Sequence, residues 1–268
     1  MRDIRLILTI DGLSSAYLGP YGGSWVATPG INRLASQGCV FDNGVAPSFN
    51  VQANFHAAAS SDLSLFDQHE RAGYRTAVVH EEGDWLREFD FPGEVIEVGS
   101  TDLPISQPAK SLSETRMAIL LGTAFDQLES VDSKLLLWIH SRGMLGLWDA
   151  PDEFVQSVLD EDDPIPPRCS VPPQRPVPDD EDPDVLLGIR QSYAAQVAVL
   201  DACIETLLDH PRLQAESSEI FFIGLRGYPL GEHGYVGISD ETPLYGESLG
   251  VPIIVKSPAV NRQRWRGL

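Results

Sequence analysis

Cysteine and basic charge are both scarce in this chain of 268 residues. Its three cysteines, Cys39, Cys169 and Cys203, are odd in number and show no CxxC spacing, which argues against a disulfide framework and a zinc knuckle and for a reducing compartment. Only 19 lysines and arginines face 39 aspartates and glutamates, for a formal charge of −20. Such a surplus repels phosphate backbones and anionic lipid surfaces, so neither nucleic acid nor membrane is an expected partner. No apolar run is long enough to span a bilayer. The opening run after Arg2 and Arg5 is too short for a signal sequence and soon meets Asp11; with Met1 as the native start, the expected location is cytoplasmic. What the chain does have is 43% hydrophobic residues, ample for a large core.

The organising stretch is Ile4 to Gly12, a β-branched and leucine-rich run ending in a carboxylate and a glycine. It reads as a buried parallel strand that delivers Asp11 to its C-terminal edge, where ligands bind in open α/β sheets. Ser14 to Tyr21 reads as a loop or single turn. Thr28-Pro29 starts a helix that Gly38 stops. Cys39 to Phe41 is a short strand, Asn43 to Asn50 a loop, and helices follow at Val51 to Ala59 and Leu63 to Ala72. Strands are expected at Tyr74 to His80, Glu94 to Val98 and Lys134 to His140. A helix capped by Ser111 or Ser113 runs to about Glu129. The alternation predicts a mostly parallel sheet with helices on both faces.

Between Asp160 and Pro183 eight prolines fall between acidic runs, which excludes regular structure there and predicts an extended excursion. The acid clusters lack the alternating ligands of an EF-hand and read as a solvated loop. Val185 to Leu208 is the longest helix, with Leu186, Ile189, Tyr193, Val197, Leu200, Ile204 and Leu207 in one stripe. Glu219 to Gly224 and Val251 to Lys256 are further strands, and Asn261 to Leu268 is a polar tail.

Several fragments, in order, carry a family resemblance: Leu6-Ile-Leu-Thr-Ile-Asp-Gly-Leu, Leu18-Gly-Pro-Tyr-Gly, Thr28 to Gly38, Asn43 to Ser48, Ala72 to Ala77, the helix from Tyr193 to Leu208, Leu230-Gly-Glu-His-Gly, Pro243 to Ser248 and Val251 to Val255. Together they resemble the sulfatases of the alkaline phosphatase superfamily over most of the chain. The resemblance implies an alkaline-phosphatase/sulfatase-like three-layer sandwich, here as one domain over residues 1–268. The smaller C-terminal subdomain common in the family is expected to be absent, through truncation or reduction.

Sulfatases use a formylglycine made from the first residue of a Cys/Ser-x-Pro-x-Arg motif, with a bound calcium positioning the sulfate. Carried over by position, that nucleophile falls on Val51, the motif proline on Ala53 and the arginine on Phe55. A valine offers no nucleophilic atom and a phenylalanine cannot hold an oxyanion. The first-strand acid pair is reduced to Asp11 followed by Gly12, and the later acid-containing pair corresponds to Leu225-Arg226. The sulfate-contacting lysine and histidine of the middle strand are replaced by Glu81 and its neighbours, while His233 is retained. Asp11 is thus the sole candidate metal ligand, of an incomplete calcium or magnesium site, or else a carboxylate bonding its own loop.

Catalytic candidates reduce to His233, Arg226 and Arg142. His233 contacts a ligand or is hydrogen-bonded at the surface, and the two arginines clamp an anion or pair with surplus acids. Ser48 and Thr9 are weak stand-in nucleophiles with no neighbouring base in sequence. The residues favour a non-catalytic binding or interaction module. The alternatives are a sulfate or phosphate ester hydrolase with a rearranged metal site, and a regulatory subunit docked through an open sheet edge. The corresponding partners are a small anionic ester or another protein.

Overall fold

The computed structural model describes residues 3–59, 64–81, 86, 89, 91, 93–99, 107–167, 171–239 and 245–267. Expectations for Cys169, the helix start at Leu63, and Pro243 and Leu244 lie outside them.

Eight strands form one sheet: β1 (Ile4–Ile10), β2 (Cys39–Phe41), β3 (Arg75–His80), β4 (Glu94–Glu97), β5 (Leu135–Ser141), β7 (Glu219–Gly224), β9 (Ile253–Lys256) and β10 (Gln263–Trp265). Their order is β10-β2-β9-β7-β1-β5-β3-β4, with β1, β3, β4, β5 and β7 mutually parallel and β9 antiparallel to both its neighbours. Among the described residues the α-helices are α1 (Pro29–Gln37), α2 (Val51–Ala58), α3 (Ser64–Arg71), α4 (Arg116–Ser130), α5 (Asp152–Gln156), α6 (Pro183–Leu208), α7 (Pro211–Gln214) and α8 (Gly246–Leu249).

The central strands are continuously apolar because both faces are covered, and the two-residue period of a strand divides them between two cores. Leu6, Leu8 and Ile10 of β1 and Leu135, Leu137 and Ile139 of β5 join the core formed with α1, α4 and α6. Ile7, Leu136 and Trp138 point to the opposite face, where Phe55 of α2 and Phe66 of α3 cover them. The result is the expected three-layer sandwich.

Three expectations need correction. The N-cap of α4 is Thr115, whose Oγ1 accepts from the Ala118 amide, rather than Ser111 or Ser113. Asp149 assists from outside the helix by accepting from the Arg116 amide at 2.8 Å, a partner no local pattern reveals. Within the proline-rich excursion, Arg175–Pro176 forms the strand β6, antiparallel to β8 (Tyr235–Val236). Ser192 Oγ donates to Pro167 O (3.1 Å) and Tyr228 Oη donates to Pro173 O (2.6 Å), so proline carbonyls still accept the hydrogen bonds that fasten the segment. The tail is a strand as well, since Gln263–Trp265 pairs in parallel with β2.

Candidate functional site

The ladders of the parallel block continue one residue past their strands. Asp11 N donates to Ser141 O (3.1 Å) and Leu225 N to Ile10 O (2.8 Å), so Asp11, Arg142 and Arg226 leave the sheet at a common C-terminal edge. Gly12 has φ +70°, a left-handed turn that suits glycine, and its amide reaches back to Asp11 Oδ1 at 3.0 Å. Gly143, with φ +52°, sits so close that an added Cβ would lie 2.3 Å from Asp11 O. From α6, Tyr193 Oη donates to Gly12 O (2.9 Å) and accepts from Ser14 N (2.8 Å). Burial raises the Tyr193 phenol well above its ordinary pKa, so it remains a donor.

Arg226 faces Asp11 as a fork. Its Nε lies 2.9 Å from Asp11 Oδ1 and its Nη2 2.5 Å from Oδ2, with side-chain exposures of 13% and 6%. The remaining terminal nitrogen, Nη1, donates to Phe49 O at 3.0 Å, and the guanidinium carbon stands 5.9 Å from the centre of the Phe49 ring. Both Asp11 oxygens therefore already accept charged or amide donors.

Val51, where the resemblance places the nucleophile, opens α2 and is half-buried. Asn50 caps this helix by accepting from the Ala53 amide at 3.0 Å. Phe55, where the motif arginine would stand, is fully buried, 4.6 Å from the Trp138 ring centre and 5.3 Å from His140. Asn54 donates through Nδ2 to Ser48 O (2.6 Å) and Leu225 O (2.8 Å), drawing α2 against the end of β7. Ser48 Oγ accepts from Asn50 N, which makes it part of the turn into the helix.

Thr9 is fully buried: Trp138 Nε1 donates to its hydroxyl at 3.0 Å, and His140 Nδ1 lies at the same distance. Burial, reinforced by His80, Arg226 and Arg142, lowers the His140 pKa to about 3, so this ring is neutral. It is beside Thr9, but the enclosure leaves no path from that hydroxyl to a ligand.

Arg142 lies next to a different feature, a cavity of ≈ 290 Å³ also lined by Glu81, Glu97, Arg116, Met117 and Gln196. Glu81 Oε1 accepts from Ser141 Oγ and Arg142 N, each at 2.7 Å, and so braces the turn after β5. His233 belongs to a third group. It stacks on Tyr245 with ring centres 3.7 Å apart, and its Nε2 is 3.4 Å from Glu247 Oε2.

The structure thus brings Asp11 and Arg226 together and distributes Arg142 and His233 to the cavity and to the Tyr245 stack. The surrounding groups Asn54, His140, Arg116 and Gln196 were not singled out in the sequence; only the polarity of His140 at a strand end could have signalled it. A divalent ion fits this arrangement poorly. Calcium seeks six to eight oxygens, whereas the Asp11 carboxylate already takes three donors, the Gly12 amide and two Arg226 nitrogens. Among the described residues no group of three or more His, Cys, Asp or Glu could hold a metal.

The layered fold, with ligand-type residues at the parallel edge, defines the alkaline-phosphatase class of α/β sandwiches. Within it the chain belongs to the sulfatase family, whose model matches residues 5–266. Similar solved structures include the phosphonate monoester hydrolase of Agrobacterium radiobacter, at 14% identity and a TM-score of 0.77, covering 99% of this chain and 70% of that one. Another is the C-terminal periplasmic domain of EcEptC from Escherichia coli, at 14% identity and a TM-score of 0.69, with coverage of 96% and 72%. A putative sulfatase from Bacteroides thetaiotaomicron is 16% identical with a TM-score of 0.63, over 98% of this chain and 66% of that chain. At these identities the likeness is one of fold. A comparison with curated protein sequences finds no match.

Proposed function

We propose that this sulfatase-family chain is non-catalytic and uses the fold to bind a small anionic ester without hydrolysing it. The observation that carries the reading is α2: Val51 supplies no nucleophilic atom where the family has one, and Phe55 is locked into the aromatic core where the family has an arginine. The ≈ 290 Å³ cavity is lined by Arg116 and Arg142, residues of the charge an anionic head requires. Glu81 and Glu97 on the same wall favour an ester that also carries hydroxyl or ammonium donors.

The test pairs turnover with binding. 4-Nitrophenyl sulfate, phosphate and phosphonate esters are assayed for release of nitrophenol, and the same esters are titrated calorimetrically. Binding without release above the buffer rate is expected. Release abolished by Asp11→Ala would overturn the reading and favour the competing one, an ester hydrolase with a rearranged site. That alternative draws support from the fold shared with the Agrobacterium radiobacter hydrolase. Absence of ester binding together with a stable complex with another protein would favour a regulatory subunit.

A further inference from the structure

We infer that the Arg226 guanidinium takes over, within this chain, the tethering and charge-neutralising role of a divalent cation at the sheet edge, so that the fold needs no metal. This role concerns the stability of the fold, and a hydrolase working through a metal on Asp11 would exclude it.

Three segments meet at this point: Asp11 after β1, Arg226 after β7, and Phe49 before α2. A cation at a sheet edge ties such segments by drawing their oxygens to one positive centre. Here the positive centre is covalent. The planar fork of an arginine matches a carboxylate through two parallel hydrogen bonds and stays charged at every working pH, unlike a lysine or histidine. Its third contact, from Nη1 to the Phe49 carbonyl, extends the tie to the loop entering α2, and the Phe49 ring lies against the guanidinium. Asn54, bonded to both Ser48 O and Leu225 O, runs a neutral strut beside it.

Electrostatics set a metal and the guanidinium in competition for Asp11. With both partners largely withdrawn from water, the Asp11–Arg226 attraction is weakly screened, and a metal approaching Asp11 would have to displace the fork and face its charge. Gly12 N and Arg226 Nε both fall on Oδ1 and Nη2 on Oδ2, so little acceptor capacity is left for a cation that seeks several oxygens.

The experiment begins with the purified full chain. Elemental mass spectrometry after dialysis is expected to find no stoichiometric calcium, magnesium, zinc or manganese, and the melting midpoint should be the same in EDTA, calcium and magnesium. Arg226→Ala should lower that midpoint by roughly 10 °C, because it strands a buried carboxylate. The double variant Asp11→Asn with Arg226→Gln should lose clearly less than the sum of its single changes, the mark of a coupled pair. Arg226→Asp sets a second carboxylate beside Asp11 and should acquire a calcium-dependent rise in midpoint. If that variant fails to fold, the wild-type metal analysis and the double variant still decide. One tightly held divalent ion per wild-type chain, a fall in midpoint with EDTA, or additive effects of the two single changes would overturn the inference.

Discussion

Two neighbouring regions of one sheet edge handle charge in opposite ways. Around β1 and β7 the charges are matched internally: Asp11 and Arg226 meet face to face, and the adjoining backbone of Gly12 and Phe49 joins them. Around β3, β4 and β5 a cavity of ≈ 290 Å³ is lined by Glu81, Glu97, Arg116 and Arg142. Beneath the first region lies an aromatic core built on Phe55, Phe66 and Trp138. The contrast is between an edge whose charges tie loops together and an edge that keeps a cavity.

The largest effect should come from breaking the charge-matched region at its base. Phe55→Ala removes a fully buried ring packed on Trp138, Phe89 and Phe91, and is expected to destabilise by about 4 kcal/mol, measured by urea unfolding. A loss under about 1 kcal/mol would mean that α2 is not anchored by this ring.

Acid sharpens the comparison next, because the buried titratable groups act with opposite sign. His140 has a folded pKa of about 3 against an ordinary value near 6.5, so its contribution is present above about pH 6.5 and lost as pH falls toward 3. Asp201 differs: it accepts from the Gly30 and Ile31 amides at the start of α1, yet burial raises its pKa to about 6. Its contribution is greatest below about pH 4 and lost as pH rises through about 6. His140→Leu should therefore move the acid-unfolding midpoint to lower pH, followed by circular dichroism. Asp201→Asn should make stability less sensitive to pH between about 4 and 6; an unchanged slope there would count against a buried, protonating Asp201.

A smaller effect is expected at the fastened excursion. Tyr228→Phe deletes the hydroxyl that reaches Pro173 O and should cost about 1 kcal/mol while increasing proteolysis between residues 160 and 183. The smallest change in stability belongs to the open region. Arg142 is exposed, so Arg142→Ala should alter stability by less than about 0.5 kcal/mol yet weaken ester binding several-fold in calorimetry. Equal losses of stability at Arg142 and Arg226 would erase the distinction between the two regions.

Much of the fold was legible because its signals are local and repeated. The apolar runs at Ile4–Ile10 and Leu135–Ser141, and the stripe from Ile189 to Leu207, announce a covered parallel sheet and a long packed helix. The short elements were not: Arg175–Pro176 and Gln263–Trp265 have no strand pattern and exist because a partner strand lies beside them. That Asp11 stands at the strand end could be read. That Thr9 is enclosed, and that Arg142 and His233 belong elsewhere than Asp11, could not.

The sequence by itself therefore determined the layering and the position of Asp11 at the end of the first strand, because periodicity and side-chain chemistry are properties of a chain read in order. Only the tertiary structure decided that Arg226, 215 residues downstream, closes on Asp11 and that Asp149 and Asp201 cap helices to which they do not belong. Those pairings depend on strand order and on which loops share an edge. A buried charge takes whichever partner the completed fold brings within reach, and nothing in its own neighbourhood of sequence specifies that partner.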